Sequence, residues 1–325
     1  MSKENTNITI KVILALIVFI LFFNNSISQI EIVKPSAVNL SNNYIGNCEI
    51  CFNEKSTLNV GGNGPGNYSK IQNAISDSED GDTIFVWNNS SPYYENLIID
   101  KEIKLIGKNR FKTIIDGSRK SDVITVLSHG VYISGFTIIN SGNDWIDAGI
   151  KLESNNNIIE NNIFSENNYG IYSYDLCNSV INDNIIINSS DSGIHLPFSN
   201  NITITNNEIS NNSLKGIFLY DSNVHCNNRN KIAYNTIKNN KQGIYFWFSY
   251  RTDIFENILS NNIIGISFNH NSAYNSIINN IIRENSDKGI FLNSSSNNNL
   301  NQNRITKNDY GIYFRYSSCC DIINN

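Results

Sequence analysis

An all-β fold, a right-handed parallel β-helix solenoid with a short N-terminal capping helix, is what this sequence predicts, on three observations. First, the dipeptide Gly-Ile recurs at Gly149, Gly170, Gly193, Gly216, Gly243, Gly265, Gly289 and Gly311, in steps of 21, 23, 23, 27, 22, 24 and 22 residues. A period in that range means stacked structural repeats, and it is too short for a helix pair. Second, each interval carries a block Asn-x-[apolar]-x-x-Asn. Its first Asn falls at Asn162, Asn184, Asn207, Asn235, Asn257, Asn280 and Asn303, and its last at Asn167, Asn212, Asn240, Asn262, Asn285 and Asn308, with Ser189 as the one substitution. Third, an apolar residue stands three places ahead of each first Asn, at Ile159, Ile181, Ile204, Ile232, Ile254, Ile277 and Leu300. Disordered Asn-rich sequence would not hold isoleucine in such a register.

Within one repeat the pattern reads as a coil. After Gly, alternate residues are apolar, as in Ile217-Phe218-Leu219 and Ile244-Tyr245-Phe246. Period-two alternation with β-branched residues is a strand with one face inward, and no 3.6-residue stripe persists. Asn is poor in strands but tolerates left-handed backbone, so it marks corners. A buried corner Asn needs partners for its amide, and Asn stacked on Asn supplies them. Coils stacked about 4.8 Å apart place isoleucine on isoleucine, each burial stabilising by roughly 1.5–3 kcal/mol.

The beginning of the chain differs. Lys3 and Lys11 precede a continuous apolar run over residues 12–23, and Ser26-Ile27-Ser28 follows. Residues 1–28 therefore read as a secretory signal peptide, with an uncleaved anchor as the alternative, although about 18 apolar residues are wanted to span a bilayer. Residues 29–60 read as a polar lead. Residues 61–140 read as the capping helix and irregular first coils, and residues 141–325 as the regular coils, with a looped insertion at 141–148. The helix is expected at Tyr68-Ser69-Lys70-Ile71-Gln72-Asn73-Ala74-Ile75, where Ile71, Ala74 and Ile75 share a face that would cover the end of the stack. Short β-branched runs at 83–86, 97–99, 103–106, 113–115, 123–126 and 131–139 supply the first coils, for ten or eleven in all. The sequence stops mid-repeat at Ile322-Ile323-Asn324-Asn325, so further coils or domains are expected to follow in the natural protein.

These blocks carry a resemblance. Tyr68 to Ile75, Gly81-Asp82-Thr83-Ile84, Tyr94-Glu95-Asn96, Leu105-Ile106-Gly107, Thr113-Ile114-Ile115-Asp116-Gly117 and Ile133-Ser134-Gly135-Phe136-Thr137-Ile138 resemble the N-terminal region of secreted right-handed parallel β-helix proteins. The Gly-Ile and Asn-x-Ile repeats resemble those of the NosD-type periplasmic family within the pectin-lyase-like superfamily, over residues 60–325. The resemblance implies carbohydrate binding, polysaccharide cleavage or, for NosD itself, copper-site maturation of a reductase. It implies no catalytic residue, because the Asp-Pro-His, Gly-His-Gly and Arg-x-Lys motifs of the enzymatic relatives are absent. Repeats of this kind mark architecture and not a site.

Functional candidates come from the outward positions. Two and four residues after Gly stand Tyr172, Tyr174, Phe218, Tyr220, Tyr245, Trp247, Phe291 and Tyr313, which alternation places on the solvent face of one sheet as an aromatic strip. Exposed apolar strips mark binding surfaces, and aromatic faces with polar tips suit sugar rings, although cross-strand stacking alone would also explain them. Asp175 and Asp221 share a position two coils apart, about 9.6 Å, with His195 on the coil between; such a trio could serve acid–base cleavage of glycosides, and solvated corner acids are the commoner case.

Metal ligands are sparse: four His, one Met, and a single adjacent pair, His225-Cys226. Cys48-x-x-Cys51 lacks a second ligand pair and reads as a disulfide in an exported chain, while Cys177 and Cys226 sit two coils apart, too far to bridge. Asn67-Tyr68-Ser69, Asn201-Ile202-Thr203 and Asn293-Ser294-Ser295 are glycosylation sequons. A net charge of −5 without a Lys/Arg block argues against nucleic acid, and no cofactor-binding loop is present. The expected protein is secreted or on the cell surface, or periplasmic if the host has an outer membrane. It binds polysaccharide or another extracellular polymer and is not an enzyme; the alternatives are a polysaccharide lyase, hydrolase or epimerase, and a NosD-like accessory protein for a copper enzyme.

Overall fold

Inward isoleucine every turn forces the chain to wind, and the computed structural model, which describes residues 55–223 and 228–325, shows the winding. The signal peptide, most of the polar lead, Cys48-x-x-Cys51 and the pair His225-Cys226 lie outside the described residues. Among the described residues, thirty-two short strands form three parallel sheets of 12, 10 and 10 strands, which gives about eleven turns. In each sheet the neighbours come from successive coils. The sense of winding is right-handed.

One coil serves for all. Strand Lys215–Tyr220 belongs to the third sheet, Asn230–Ala233 to the first, Thr236–Lys238 to the second, and Gln242–Trp247 returns to the third one rung on. The registry is direct: Ile204 pairs with Ile232 and Ile232 with Ile254, Ile209 with Ile237 and Ile237 with Leu259, and Ile217 with Ile244 and Ile244 with Ile266. All of these are fully buried in one core cluster with Phe246 and Phe268, whose rings stack at 4.8 Å. The same rows run back through the irregular coils, from Leu105 through Ile133 to Ile159. There the apolar run at 131–139 divides into Tyr132–Ser134 and Thr137–Ile139 around Gly135, whose φ of +88 turns the corner. Thr57–Val60 pairs with Thr83–Val86 as the first strand of the first sheet. Helix α1 (Ile71–Asp77) buries Ile71, Ala74 and Ile75 in the same core.

The corners are held by amides. At the first Asn corner the Oδ1 of Asn235 accepts from the backbone N–H and the Nδ2 of Asn207, and the Nδ2 of Asn235 donates to the carbonyls of Ile204 and Ala233. Asn257, Asn280 and Asn303 repeat this upward. The second corner is a parallel ladder from Asn212 through Asn240, Asn262 and Asn285 to Asn308. The left-handed residue at each corner is the one before the ladder Asn: Asn206, Tyr234, Glu256, Asn279 and Gln302 have φ between 54 and 59. The ladder Asn is therefore selected for its amide and not for its backbone freedom. A third ladder, unforeseen in the sequence, closes the remaining corner through Asn157, Asn230, Asn275 and Asn298, beside a column of serine hydroxyls at Ser222, Ser249 and Ser272.

The repeated Gly is required by crowding. A Cβ on Gly216 would lie 2.6 Å from the carbonyl oxygen of Gly243 and 2.7 Å from Cγ2 of Ile237. Only hydrogen lets the next coil approach at sheet spacing.

Two substitutions test the ladders. Asn235→Ala leaves the buried backbone N–H of Asn207 without its acceptor and should lower stability by about 2 kcal/mol, read as a lower urea midpoint. Ser189 is the one non-Asn rung of the second ladder, and its Oγ is buried without a partner. Ser189→Asn should raise the same midpoint, by about 1 kcal/mol of stability, as the amide reconnects Asn167 to Asn212.

Candidate functional site

Alternation in the third sheet sends the residues two and four after Gly outward, and cross-strand registry stacks them. His195 lies opposite Tyr172 and Phe218; Phe218 lies opposite Tyr245; Tyr220 lies opposite Pro197 and Trp247. The rings meet: His195 stacks on Phe218 at 4.4 Å, and Phe218 meets Tyr245 edge-on at 5.0 Å. The next row runs from Trp247 to Asn269, Asn293 and Arg315. The eight aromatics therefore form two patches. Ser267 and Asn269 separate Tyr245 and Trp247 from Phe291 and Tyr313, which sit two and three rungs further on.

The larger patch is a groove of about 430 Å³ with an almost wholly apolar lining, in which Tyr174, Phe198, Tyr220 and Trp247 form the walls together with Trp145. Phe198 and Trp145 were not among the sequence candidates. Phe198 stands five after Gly, at a left-handed corner (φ 57), and its ring meets Tyr174 at 4.8 Å and Tyr220 at 5.4 Å. The signal lay in the sequence, since that column also carries Phe248, His270 and Tyr316. Trp145 comes from the inserted loop before Gly149 and is 79% exposed.

Tyr172 departs from its expected exposure. It is only 5% accessible, packed with Ala148, Tyr169 and Ile146. The inserted loop supplies that cover, so Tyr172 is a floor residue and not a contact surface. Tyr174, at 63% exposed, stands free. In the smaller patch Lys288 lies over the rings of Phe291, Tyr310 and Tyr313 while paired with Asp287.

Asp175 and Asp221 take the same left-handed corner column, with φ of 64 and 49, and their backbone N–H groups donate to the carbonyls of Pro197 and Trp247. That is a backbone task. The charges that act on His195 belong instead to Asp191 and Lys215. The imidazole is held at a pKa of about 4, chiefly by burial, and its Nδ1 is buried without a hydrogen-bond partner. Burial likewise pushes Tyr245 up to about 12, and raises Tyr169, beside Asp191, further still. Lys215, buried over Phe218 and Tyr245, is shifted down. The neutral imidazole is thus one ring of the stacked floor. Among the described residues no three His, Cys, Asp or Glu side chains converge on a point that could hold a metal ion.

A family model described as periplasmic copper-binding protein (NosD) matches residues 23–272 and again 224–325. No curated protein sequence matches the chain. Among solved structures, XylC in complex with xylose aligns with a TM-score of 0.62 at 12% identity, over 78% of this chain and 69% of that one. The A-module of the Azotobacter vinelandii mannuronan C-5 epimerase AlgE4 aligns at 0.55 and 15%, over 78% and 88%. The periplasmic alginate epimerase AlgG aligns at 0.50 and 16%, over 76% and 73%. At these identities the likeness is one of fold.

The state of His195 has a consequence for stability. Its folded pKa lies below the unfolded value near 6.5, so its contribution is complete above that value and is lost as pH falls toward 4. The wild type should lose up to about 3 kcal/mol more than His195→Gln between pH 6.5 and 4, measured by urea denaturation at each pH. Equal losses in the two proteins would contradict the buried neutral imidazole.

Proposed function

This chain belongs to the periplasmic copper-binding protein (NosD) family, and from that membership we propose that it works outside the cytoplasm as a non-catalytic protein that binds polysaccharide along its third sheet. The aromatic groove carries the reading. Tyr174, Tyr220 and Trp247 present flat apolar faces with polar edges, the combination that meets the C–H face and the hydroxyl rim of a sugar ring together. Along the same row the half-buried Asn293, held by a 3.1 Å hydrogen bond to the buried Asn269, continues the surface with an amide, so a linear polymer would meet aromatic plates and then a hydrogen-bonding group. The fold neighbours include epimerases named for polysaccharide substrates, which fits a polymer partner. Helix α1 fits a role in closing the N-terminal end of the stack, as exported solenoids need to avoid edge-to-edge association.

Copper is the second reading, favoured by the family's description. Copper wants thiolate, thioether or imidazole ligands. The described thiols are Cys177, Cys319 and Cys320, no ligand trio forms, and the one Met of the chain is Met1. The described residues therefore do not fit a resident copper site, and the adjacent His225-Cys226 lies outside them.

Binding of the purified chain to immobilised glycans separates the readings. Trp247→Ala and Tyr220→Ala, both at outward positions, should each weaken glycan binding by about tenfold with the circular dichroism spectrum unchanged. Undiminished binding by both variants would contradict the groove. Shortened or epimerised glycan would make the protein an enzyme. Stoichiometric Cu(I) uptake, lost in a His225→Ala, Cys226→Ala double variant, would establish the copper reading.

A further inference from the structure

Sharing no residue with the aromatic groove, the first rungs carry a second concavity of about 510 Å³, lined by the loop at 61–67, the short 3-10 turn Asn88–Ser90, Trp87 and Lys108. The loop is built to stay in place. Gly61 and Gly62 have φ of 70 and 76, and the N–H of Gly61 donates to the carbonyl of Tyr68 at 2.7 Å. A side chain on Gly61 would collide with the hydroxyl of Tyr93, which is itself bonded to the carbonyl of Trp87. The N–H of Gly62 donates to Oδ1 of Asn89 at 3.0 Å, the Nδ2 of Asn67 to the carbonyl of Gly61, and the indole Nε1 of Trp87 to Oδ1 of Asn59 at 3.1 Å.

Each of these amides is anchored by one end only. Among the described residues, Nδ2 of Asn59, Nδ2 of Asn89 and Oδ1 of Asn67 make no hydrogen bond to protein, nor does either end of Asn63 or Asn88, and all five side chains reach solvent. The ammonium of Lys108 lies 4.3 Å over the Trp87 ring, and no described carboxylate pairs with it. The pocket thus combines an indole, several half-used amides and one unneutralised cation. Amides that both donate and accept match vicinal hydroxyls, the indole matches a saturated ring face, and a lone ammonium in a cleft lacks only an anion.

We propose that this pocket is a binding site for one hydroxylated sugar ring carrying a single acidic group, distinct from the aromatic groove and independent of what that groove binds. The probes are glucuronate and glucose, titrated by calorimetry into the full chain. The wild type should bind glucuronate saturably and more tightly than glucose. Lys108→Gln changes an exposed residue and should weaken glucuronate about tenfold, the worth of one charge-assisted hydrogen bond, while leaving glucose unchanged. Asn63→Ala, on the exposed loop, should weaken both sugars. Lys108→Gln should leave binding of immobilised glycans by the aromatic groove as in the wild type, so failure here and failure of the groove are read separately. Absence of saturable glucuronate binding, or a Lys108→Gln variant that binds it as the wild type does, would overturn the proposal.

Discussion

Everything in this fold depends on satisfying backbone groups at corners that lie inside the molecule. Three strands per turn cannot close without bends. Each bend takes N–H and C=O groups out of the sheet ladders while keeping them away from water. An unsatisfied buried donor costs about 1–3 kcal/mol, and a solenoid repeats that cost at every corner of every turn. The Asn ladders remove it. One amide oxygen takes two donors from the coil before, and one amide nitrogen serves carbonyls of the coil before and of its own. With the corners fixed, the isoleucine rows fall into register and the outward rows become straight.

Those straight outward rows are the material for function. A regular stack cannot itself distinguish one partner from another, so specificity has to come from departures from the repeat. The aromatic columns of the middle coils are one departure, and the inserted loop that brings Trp145 to the groove is another. The first rungs supply a third, where glycine backbone and asparagine side chains replace the plain corner. The family description and the fold neighbours agree on a scaffold and leave chemistry to such departures.

Much of the scaffold was legible in the sequence because the physical requirement repeats with the chain. Isoleucine and Asn recur at fixed offsets in the first two corners, and the strands fall where period two places them. The third corner was hidden for a physical reason. A serine or an asparagine can each accept one hydrogen bond there, as Ser249, Ser272 and Asn275 show, so no single letter repeats, and the insertion near residue 225 breaks the spacing. The site was less legible than the fold. Outward direction followed from alternation, but the burial of Tyr172 depends on a loop distant from its own strand, and the entry of Phe198 into the groove depends on a left-handed corner. The first is not encoded in local pattern, and the second shows only as the aromatic column five after Gly at Phe198, Phe248, His270 and Tyr316. The proximity of Asp175 and Asp221 in the repeat suggested chemistry, and their column proved to be set by backbone geometry.

The side-chain amide protons of the ladder offer the most direct measurement. In hydrogen exchange followed by NMR, the Nδ2 protons of Asn207, Asn235, Asn257 and Asn280 should be protected to the same degree as the backbone N–H groups of Ile204, Ile232 and Ile254 in the adjoining strands, because both open only when the coils separate. Exchange of those side-chain protons at the rate of a free, solvated asparagine, with the strand amides still protected, would show that the corners are held by something else.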